Sequence, residues 1–243
     1  MKRQIVLDTE TTGLRPEDGH RIVEIGAVEL IDGKKTGQVY SMLINPERHI
    51  PDEVVNIHHI DDAKVKNAPI FKEIVDDFLD FIKGSELLIH NADFDIKFIN
   101  SELDKVNKGK IWDHITNTVC TLKLSRMLFE EERSHTLDSI CKRFGIDLSK
   151  REELGHGALL DCDLLADCYI KISELHSSVD IIADLEQTNW VRPQIKRFTN
   201  LSLNEIKLSS AEELNHETFL SNLEKTGKLT SVFRKENVTK LAM

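Results

Sequence analysis

Apolar residues follow two rhythms along this chain. Short, nearly unbroken apolar runs come first: residues 4–7, 21–30 and 38–44 read as strands, with breaks marked by Gly19, Gly33 and the Asn45-Pro46 pair. From Pro69 the spacing lengthens, and Ile70, Ile74, Val75, Phe78, Leu79 and Ile82 recur at helical intervals until Gly84. Residues 86–89 form another short buried strand, and Phe94, Phe98, Ile99, Leu103 and Val106 trace a second helix. Further helices are predicted near residues 119–128, 137–144 with Gly145 as a stop, and 158–172. Strands first, then strands alternating with helices, predict an α/β layer architecture.

Beyond about residue 175 the pattern loosens, and Trp190, Pro193 and Phe198 stand among polar residues without a period. One element is better defined there. Ser210-Ala211-Glu212-Glu213 fits a capping box, Leu214, Phe219, Leu220 and Leu223 supply an apolar side, and Gly227 suits the C-terminal stop. A single amphipathic helix in so short a region has little to bury itself against, so a partner surface is expected. The chain thus divides into a domain over residues 1–175 and a tail over residues 176–243.

Composition adds limits. A hydrophobic fraction of 40% in 243 residues suffices for one substantial core plus an appendage. Cys120, Cys141, Cys162 and Cys168 contain no Cys-x-x-Cys pair and lie in apolar or helical contexts, which predicts reduced cytosolic thiols rather than disulfides or zinc. Met1-Lys2-Arg3 imitates a signal-peptide start, but the apolar run behind it stops at Asp8, and no stretch reaches membrane-spanning length. A soluble, cytoplasmic protein is expected. The net charge of -10 lies wholly in the domain: the tail holds nine acids and nine bases, leaving 42 − 9 = 33 acids against 32 − 9 = 23 bases. That balance argues against a basic face gripping duplex DNA and favours weak, local recognition of a chain end.

Four acids and one histidine in three distant segments bring the chemistry. Asp8 and Glu10 stand in Asp8-Thr9-Glu10-Thr11-Thr12-Gly13, Asp95 in His90-Asn91-Ala92-Asp93-Phe94-Asp95, and His156 and Asp161 in His156-Gly157-Ala158-Leu159-Leu160-Asp161. Each carboxylate ends or follows an apolar segment, so the charges gather at the rim of a core. Such a cluster repels itself unless cations fill it. Carboxylates with no thiolate and one imidazole suit hard ions, Mg²⁺ or Mn²⁺ over zinc. Two such ions about 3.5–4 Å apart support in-line attack of water on a phosphodiester.

Asp8 and Glu10 are two apart on a strand, which places both on one face; the bland alternative is a polar turn. Asp93 is expected to cap the following helix and Asp95 to be the ligand, because Phe94 and Phe98 fix the buried side and Asp95 lies beside it. His90 and Asn91 end the preceding strand, where both can donate to a phosphate or base. His156 and Asp161, five apart, cannot converge from one regular helix face, so Gly155 and Gly157 should let His156 sit on a loop ahead of the helix. A neutral imidazole there can take a proton from water as general base. His58 and His59 lie in a stretch without period, open between substrate contact and exposed surface. Trp112, Phe144 and Tyr169 are expected in the core.

Together these segments resemble the DEDD exonucleases, named for four metal-binding acids, and within them the branch with a histidine five residues before the last Asp. The likeness covers residues 3–175 and includes Ile57-His58-His59-Ile60, and it is greatest to the epsilon proofreading subunits of bacterial DNA polymerase III. The resemblance implies a ribonuclease H-like mixed sheet flanked by helices, with Asp8, Glu10, Asp95 and Asp161 as ligands to two divalent cations and His156 as base. It also implies that Thr9, Thr11, His58, His90, Asn91 and Phe94 surround the terminal nucleotide. The implied reaction removes 5′-monophosphates from a single-stranded or frayed 3′ DNA end. The implied partner of the tail is the large alpha subunit of the polymerase. The region from His176 lacks the glutamine-led sliding-clamp motif of close relatives, so clamp binding is left open.

Two other functions compete on the sequence alone. An exoribonuclease or RNA-maturation nuclease could use the same five residues, since the metal site does not read the sugar. The tail favours a polymerase subunit. A non-catalytic polymerase scaffold should have lost a ligand, and none is lost.

Overall fold

A computed structural model of the chain describes residues 1–176, with five strands in the order β3-β2-β1-β4-β5. Strands β1 (Arg3–Thr11), β2 (Ile22–Ile31) and β3 (Lys34–Leu43) form an antiparallel meander, and Asp32-Gly33, both at positive φ, make its two-residue turn. Helices α1 (Asp52–His58), α2 (Asp62–Val65) and α3 (Phe71–Ile82) follow, before β4 (Glu86–Ile89) pairs parallel to β1. After α4 (Ala92–Lys105), β5 (Asn117–Cys120) extends the parallel side, and α5 (Thr121–Leu128), α6 (Leu137–Phe144), α7 (Ser149–Leu154) and α8 (Ala158–His176) complete the described residues.

Alternation along β1 divides the core. Ile5 and Leu7 enter one cluster with Phe71, Phe78, Phe98 and Leu103 of α3 and α4, whereas Val6 enters another with Leu124, Ile140, Leu165 and Tyr169 of α5, α6 and α8. The sheet is therefore the middle of three layers. The same two-residue period continues past the apolar stretch: Asp8 and Glu10 share the face of Val6, under α8, and Thr9 shares the face of Leu7, towards α4. One strand feeds charge to both sides of the sheet end.

The mixed sheet flanked by helices is as expected, and so are its ribonuclease H-like order and the buried, free state of all four cysteines. Several local expectations fail. Residues 117–120 form β5 beside β4, so the helix expected from residue 119 starts at Thr121; a four-residue buried strand has no period to separate it from a helix. Strand β3 begins at Lys34, because the Asp-Gly turn pairs the strands immediately. His58 is the buried last residue of α1, not part of an irregular loop. Asp93 caps nothing: Asn91, at φ 65°, takes the N-cap position, and Asp93 lies exposed 3.4 Å from Lys123 Nζ. The tail helix read over residues 210–227 and the boundary at residue 175/176 involve residues outside those described.

Candidate active site

Gly26 is the local reason the acids meet. It lies opposite Asp8 in the β1–β2 ladder, and a Cβ there would stand 2.3 Å from the backbone of Ala158 and Leu159. Only the missing side chain lets α8 begin directly on the sheet. Glu24, opposite Glu10, then accepts a hydrogen bond from the Ala158 amide at 2.9 Å, placing a carboxylate at the helix N-terminus. Asp161, one turn into α8 and buried, is thereby brought to the Asp8–Glu10 face.

Asp95 arrives from the other layer. Its Oδ1 accepts from the Thr9 amide at 3.0 Å and from Thr9 Oγ1 at 2.8 Å, which fixes the carboxylate. His156 sits on a loop between Gly155 and Gly157, as the spacing predicts. Its amide donates to Ile57 O at 3.2 Å, and Gly155, at φ 79°, meets the His59 ring where a Cβ would otherwise be. The α1 end thus braces the histidine loop.

Ligand atoms of Glu10, His156 and Asp161 lie within 4.8 Å of one another. Asp8 and Asp95 lie outside that tight trio but interact electrostatically with it. Burial, followed by the charges of Asp95, Glu10 and Asp161, pushes the Asp8 carboxyl well above its ordinary range. Burial, followed by Asp161, Glu24 and Asp95, raises Glu10 to about 8, and burial raises Asp95 to about 7 against the Thr9 hydrogen bonds. Such shifts report a site short of positive charge. Arg151 supplies some of it: its Nε and Nη2 donate to the two oxygens of Asp161 at 2.7 and 2.8 Å, Nη2 also reaches His156 Nδ1 at 2.8 Å, and Nη1 pairs with Asp138. The donor set fits a hard divalent ion. Oxygen dominates it, with one imidazole, and Cys162, the nearest thiol in sequence, donates instead to Gly26 O.

All five expected catalytic residues line one open cavity of about 860 Å³, together with Thr9, His90, Asn91 and Phe94. His90 is held by Thr121 Oγ1 at 3.0 Å, and burial, aided by the charges of Arg151 and Arg126, pushes its ring down to about 4, so it is neutral. Phe94 offers an aromatic wall, backed by Phe98 with ring centroids 5.0 Å apart. Thr11 and His58 do not line this cavity. Thr11 Oγ1 donates to Gly13 O at 2.6 Å, and His58 Nε2 lies 3.3 Å from Thr11 O, facing a second cavity that His156 also borders.

Two residues of the site escape the sequence reading. Arg151 stands in Lys150-Arg151-Glu152-Glu153, a mixed-charge run that reads as solvated surface. Glu24 left a detectable sign: it is an acid inside the apolar run Ile22-Val23-Glu24-Ile25.

Known proteins share the sequence and fold of this domain. A model of the RNase T exonuclease family matches residues 5–169. DNA polymerase III subunit epsilon of Rickettsia felis is 42% identical over 227 residues, covering 92% of this chain and 98% of the relative. The subunit of the same name from Salmonella typhimurium is 39% identical over 236 residues, covering 93% and 95%. Among solved structures, exonuclease X in complex with 5′ overhanging duplex DNA aligns with a TM-score of 0.58 and 27% identity over 75% of this chain and 98% of that one. E. coli exonuclease I in complex with a dT13 oligonucleotide shares the fold at a TM-score of 0.65, with 14% identity over 75% of this chain and 43% of that one. With a family model spanning its domain and relatives matched almost end to end, the chain belongs to the RNase T exonuclease family and is a 3′–5′ exonuclease.

Proposed function

We propose that the domain over residues 1–175 is the proofreading exonuclease of a replicative DNA polymerase, removing 5′-mononucleotides from single-stranded or frayed 3′ ends. The observation that supports it most is the convergence of Asp8, Glu10, Asp95 and Asp161, from β1, α4 and α8, on the cavity that His156 borders. Asp8, Glu10, Asp95 and Asp161 would hold divalent ions, Mg²⁺ or Mn²⁺, which when bound would supply Lewis-acid stabilisation of the attacking and leaving oxygens.

The chain's own residues do the rest. Thr9 holds Asp95 by one oxygen, so the carboxylate is oriented before anything binds. His156 takes the proton as a water oxygen bonds to phosphorus and the bond from phosphorus to the 3′ oxygen of the preceding nucleotide breaks; that oxygen is protonated from solvent. Nδ1 is the acceptor towards Arg151, because a guanidinium has no lone pair to offer, so a neutral ring carries its proton on Nε2. Proton transfer to Nδ1 requires Arg151 to release that contact. Phe94 and Asn91 meet the terminal nucleotide, with His90 a neutral hydrogen-bonding group beside them, while Thr11 and His58 support the β1 end from behind.

The epsilon relatives are named as DNA polymerase III subunits, which supports docking of the tail over residues 176–243 on the polymerase alpha subunit in the cytoplasm. Among the described residues no helix is long and apolar enough to cross a membrane. The deciding measurement compares 3′-tailed DNA and RNA oligonucleotides of one sequence with Mn²⁺ and with chelator. Stepwise release of 5′-mononucleotides from the DNA 3′ end, lost with chelator, is expected; faster trimming of RNA favours the RNA-maturation alternative, and no trimming favours the scaffold.

A further inference from the structure

Arginines in this acidic domain fall into two groups. Arg3, Arg21, Arg143 and Arg151 are committed to Glu29, Glu102, Glu132 and Asp161, and Arg48 to the Gly19 carbonyl. Arg15, Arg126 and Arg133 have no hydrogen-bonding or ion-pair partner for their side chains among the described residues. In a domain with 33 acids against 23 bases, an unpaired guanidinium is the exception. Arg126 and Arg133 both line the cavity that holds the carboxylates, and Arg15 lines the adjoining one, which shares Asn91 and Phe94.

Arg126 stands on the exposed side of α5, and Arg133 on the segment between α5 and α6. That segment is anchored rather than loose. His135 Nδ1 meets Ser125 Oγ at 2.9 Å, its Nε2 reaches Glu132 O at 3.1 Å, and the Thr136 side chain caps α6 by accepting from the Ser139 amide. Two cations are therefore presented from fixed backbone to a cavity whose other wall is acidic. Buried carboxylates would repel an incoming polyanion. Cations a short way from the reacting atoms offset that repulsion without occupying the place of the ions.

We propose that Arg126 and Arg133 form a backbone grip that holds phosphates of the substrate strand on the 5′ side of the scissile bond. The inference rests on the nuclease reading above and adds a subsite to it: the ligand is a phosphodiester backbone, read by charge and without base preference. The same chemistry could serve a free mononucleotide, the reaction product. Position favours the strand, since the terminal nucleotide already has Phe94 and Asn91.

The test uses the full chain with Mn²⁺ and three ligands: a short oligothymidylate, the p-nitrophenyl ester of thymidine 5′-monophosphate, and thymidine 5′-monophosphate as inhibitor. Against wild type, R126A/R133A should raise KM for the oligonucleotide about tenfold at low salt. Its slope of log KM against log salt should fall by about 1.4, since each phosphate contact on a single strand contributes roughly 0.7. The loss on the oligonucleotide should exceed any loss on the ester or in product inhibition at least fivefold, and R126K/R133K should recover most of the salt slope. An unaltered oligonucleotide KM and slope overturns the grip. Equal losses on all three ligands overturn it too, assigning the arginines to the terminal nucleotide. If wild type hydrolyses neither substrate, the nuclease reading itself falls; if it hydrolyses both and only the arginine variants behave as wild type, the nuclease stands and the grip alone is wrong.

Discussion

Gly26 faces Asp8 across the β1–β2 ladder, and the space where its Cβ would be is filled by the backbone of Ala158. The two positions are linked through α8: what admits the helix to the sheet also sets the distance from Asp161 to Asp8 and Glu10. Gly26→Ala should push the helix start outward, costing about 1–3 kcal/mol as overpacking does. Turnover should fall further than stability suggests, by about 10²-fold, because small displacements of positioned groups are costly. Thermal melts and kcat measured together check this; normal kcat would show that the close approach does not set the site.

Raised carboxyl groups make the ion-free domain weaker as pH rises. Glu10 at about 8 and Asp95 at about 7 bind protons in the folded state that the unfolded chain, with ordinary values near about 4, has already released. Folded protein therefore holds more protons between about pH 4 and 8, and stability declines across that window. With chelator, Tm should drop from pH 5 to pH 8, and Mn²⁺ should raise Tm far more at pH 8. Glu10→Gln should flatten the chelated profile. A chelated Tm that rises over this range contradicts the cluster.

Much of this was legible in the sequence because it depends on period and residue type. Two-residue alternation past Leu7 placed Asp8 and Glu10 together, and Gly155 and Gly157 announced the loop that frees His156. What stayed hidden depends on tertiary approach. Nothing local distinguishes Gly26 from a weak point in a strand, and Arg151 lies in a run that looks solvated until α7 folds it over Asp161. Phe94 and Phe98 mark the side of α4 on which Asp95 is buried, but the cap expected at Asp93 is taken by Asn91, and the hydrogen bonds from Thr9 that fix Asp95 come from across the layer.

His156→Ala should reduce the rate by roughly 10²–10⁴ while Mn²⁺ still raises Tm, because proton transfer is lost and the carboxylates remain. Asp8→Ala and Asp161→Ala should abolish hydrolysis and also weaken the Mn²⁺ effect. The separation of these two patterns is the informative result. If His156→Ala loses the Mn²⁺ effect as well, the trio of Glu10, His156 and Asp161 binds an ion directly.

Arg151 neutralises part of the cluster through Asp161, and its side chain is only 10% exposed. Removing one partner of a buried pair leaves an uncompensated charge, typically a loss of about 3–5 kcal/mol. Arg151→Ala should therefore melt earlier than wild type with chelator, and Mn²⁺ should stabilise it by more than it does wild type, since the ion replaces the missing charge. An equal Mn²⁺ shift in both proteins would show that guanidinium and ion do not share Asp161.

The tail prediction follows from the charge of the domain. An acidic domain with weak affinity for DNA gains a high effective substrate concentration when tethered beside a primer end. A fragment ending at residue 175 should still cleave a short oligonucleotide, since Asp8, Glu10, Asp95, His156 and Asp161 all precede that point. It should no longer bind the polymerase alpha subunit. Leu220→Asp in the intact chain should reproduce the loss by placing a charge on the apolar side of the helix that the sequence pattern after Ser210 predicts. Titration against the alpha subunit, alongside cleavage of free oligonucleotide, measures both. Undiminished binding by the fragment and the substituted chain would remove the tail from the interface, and lost cleavage by the fragment would place the domain boundary beyond residue 175.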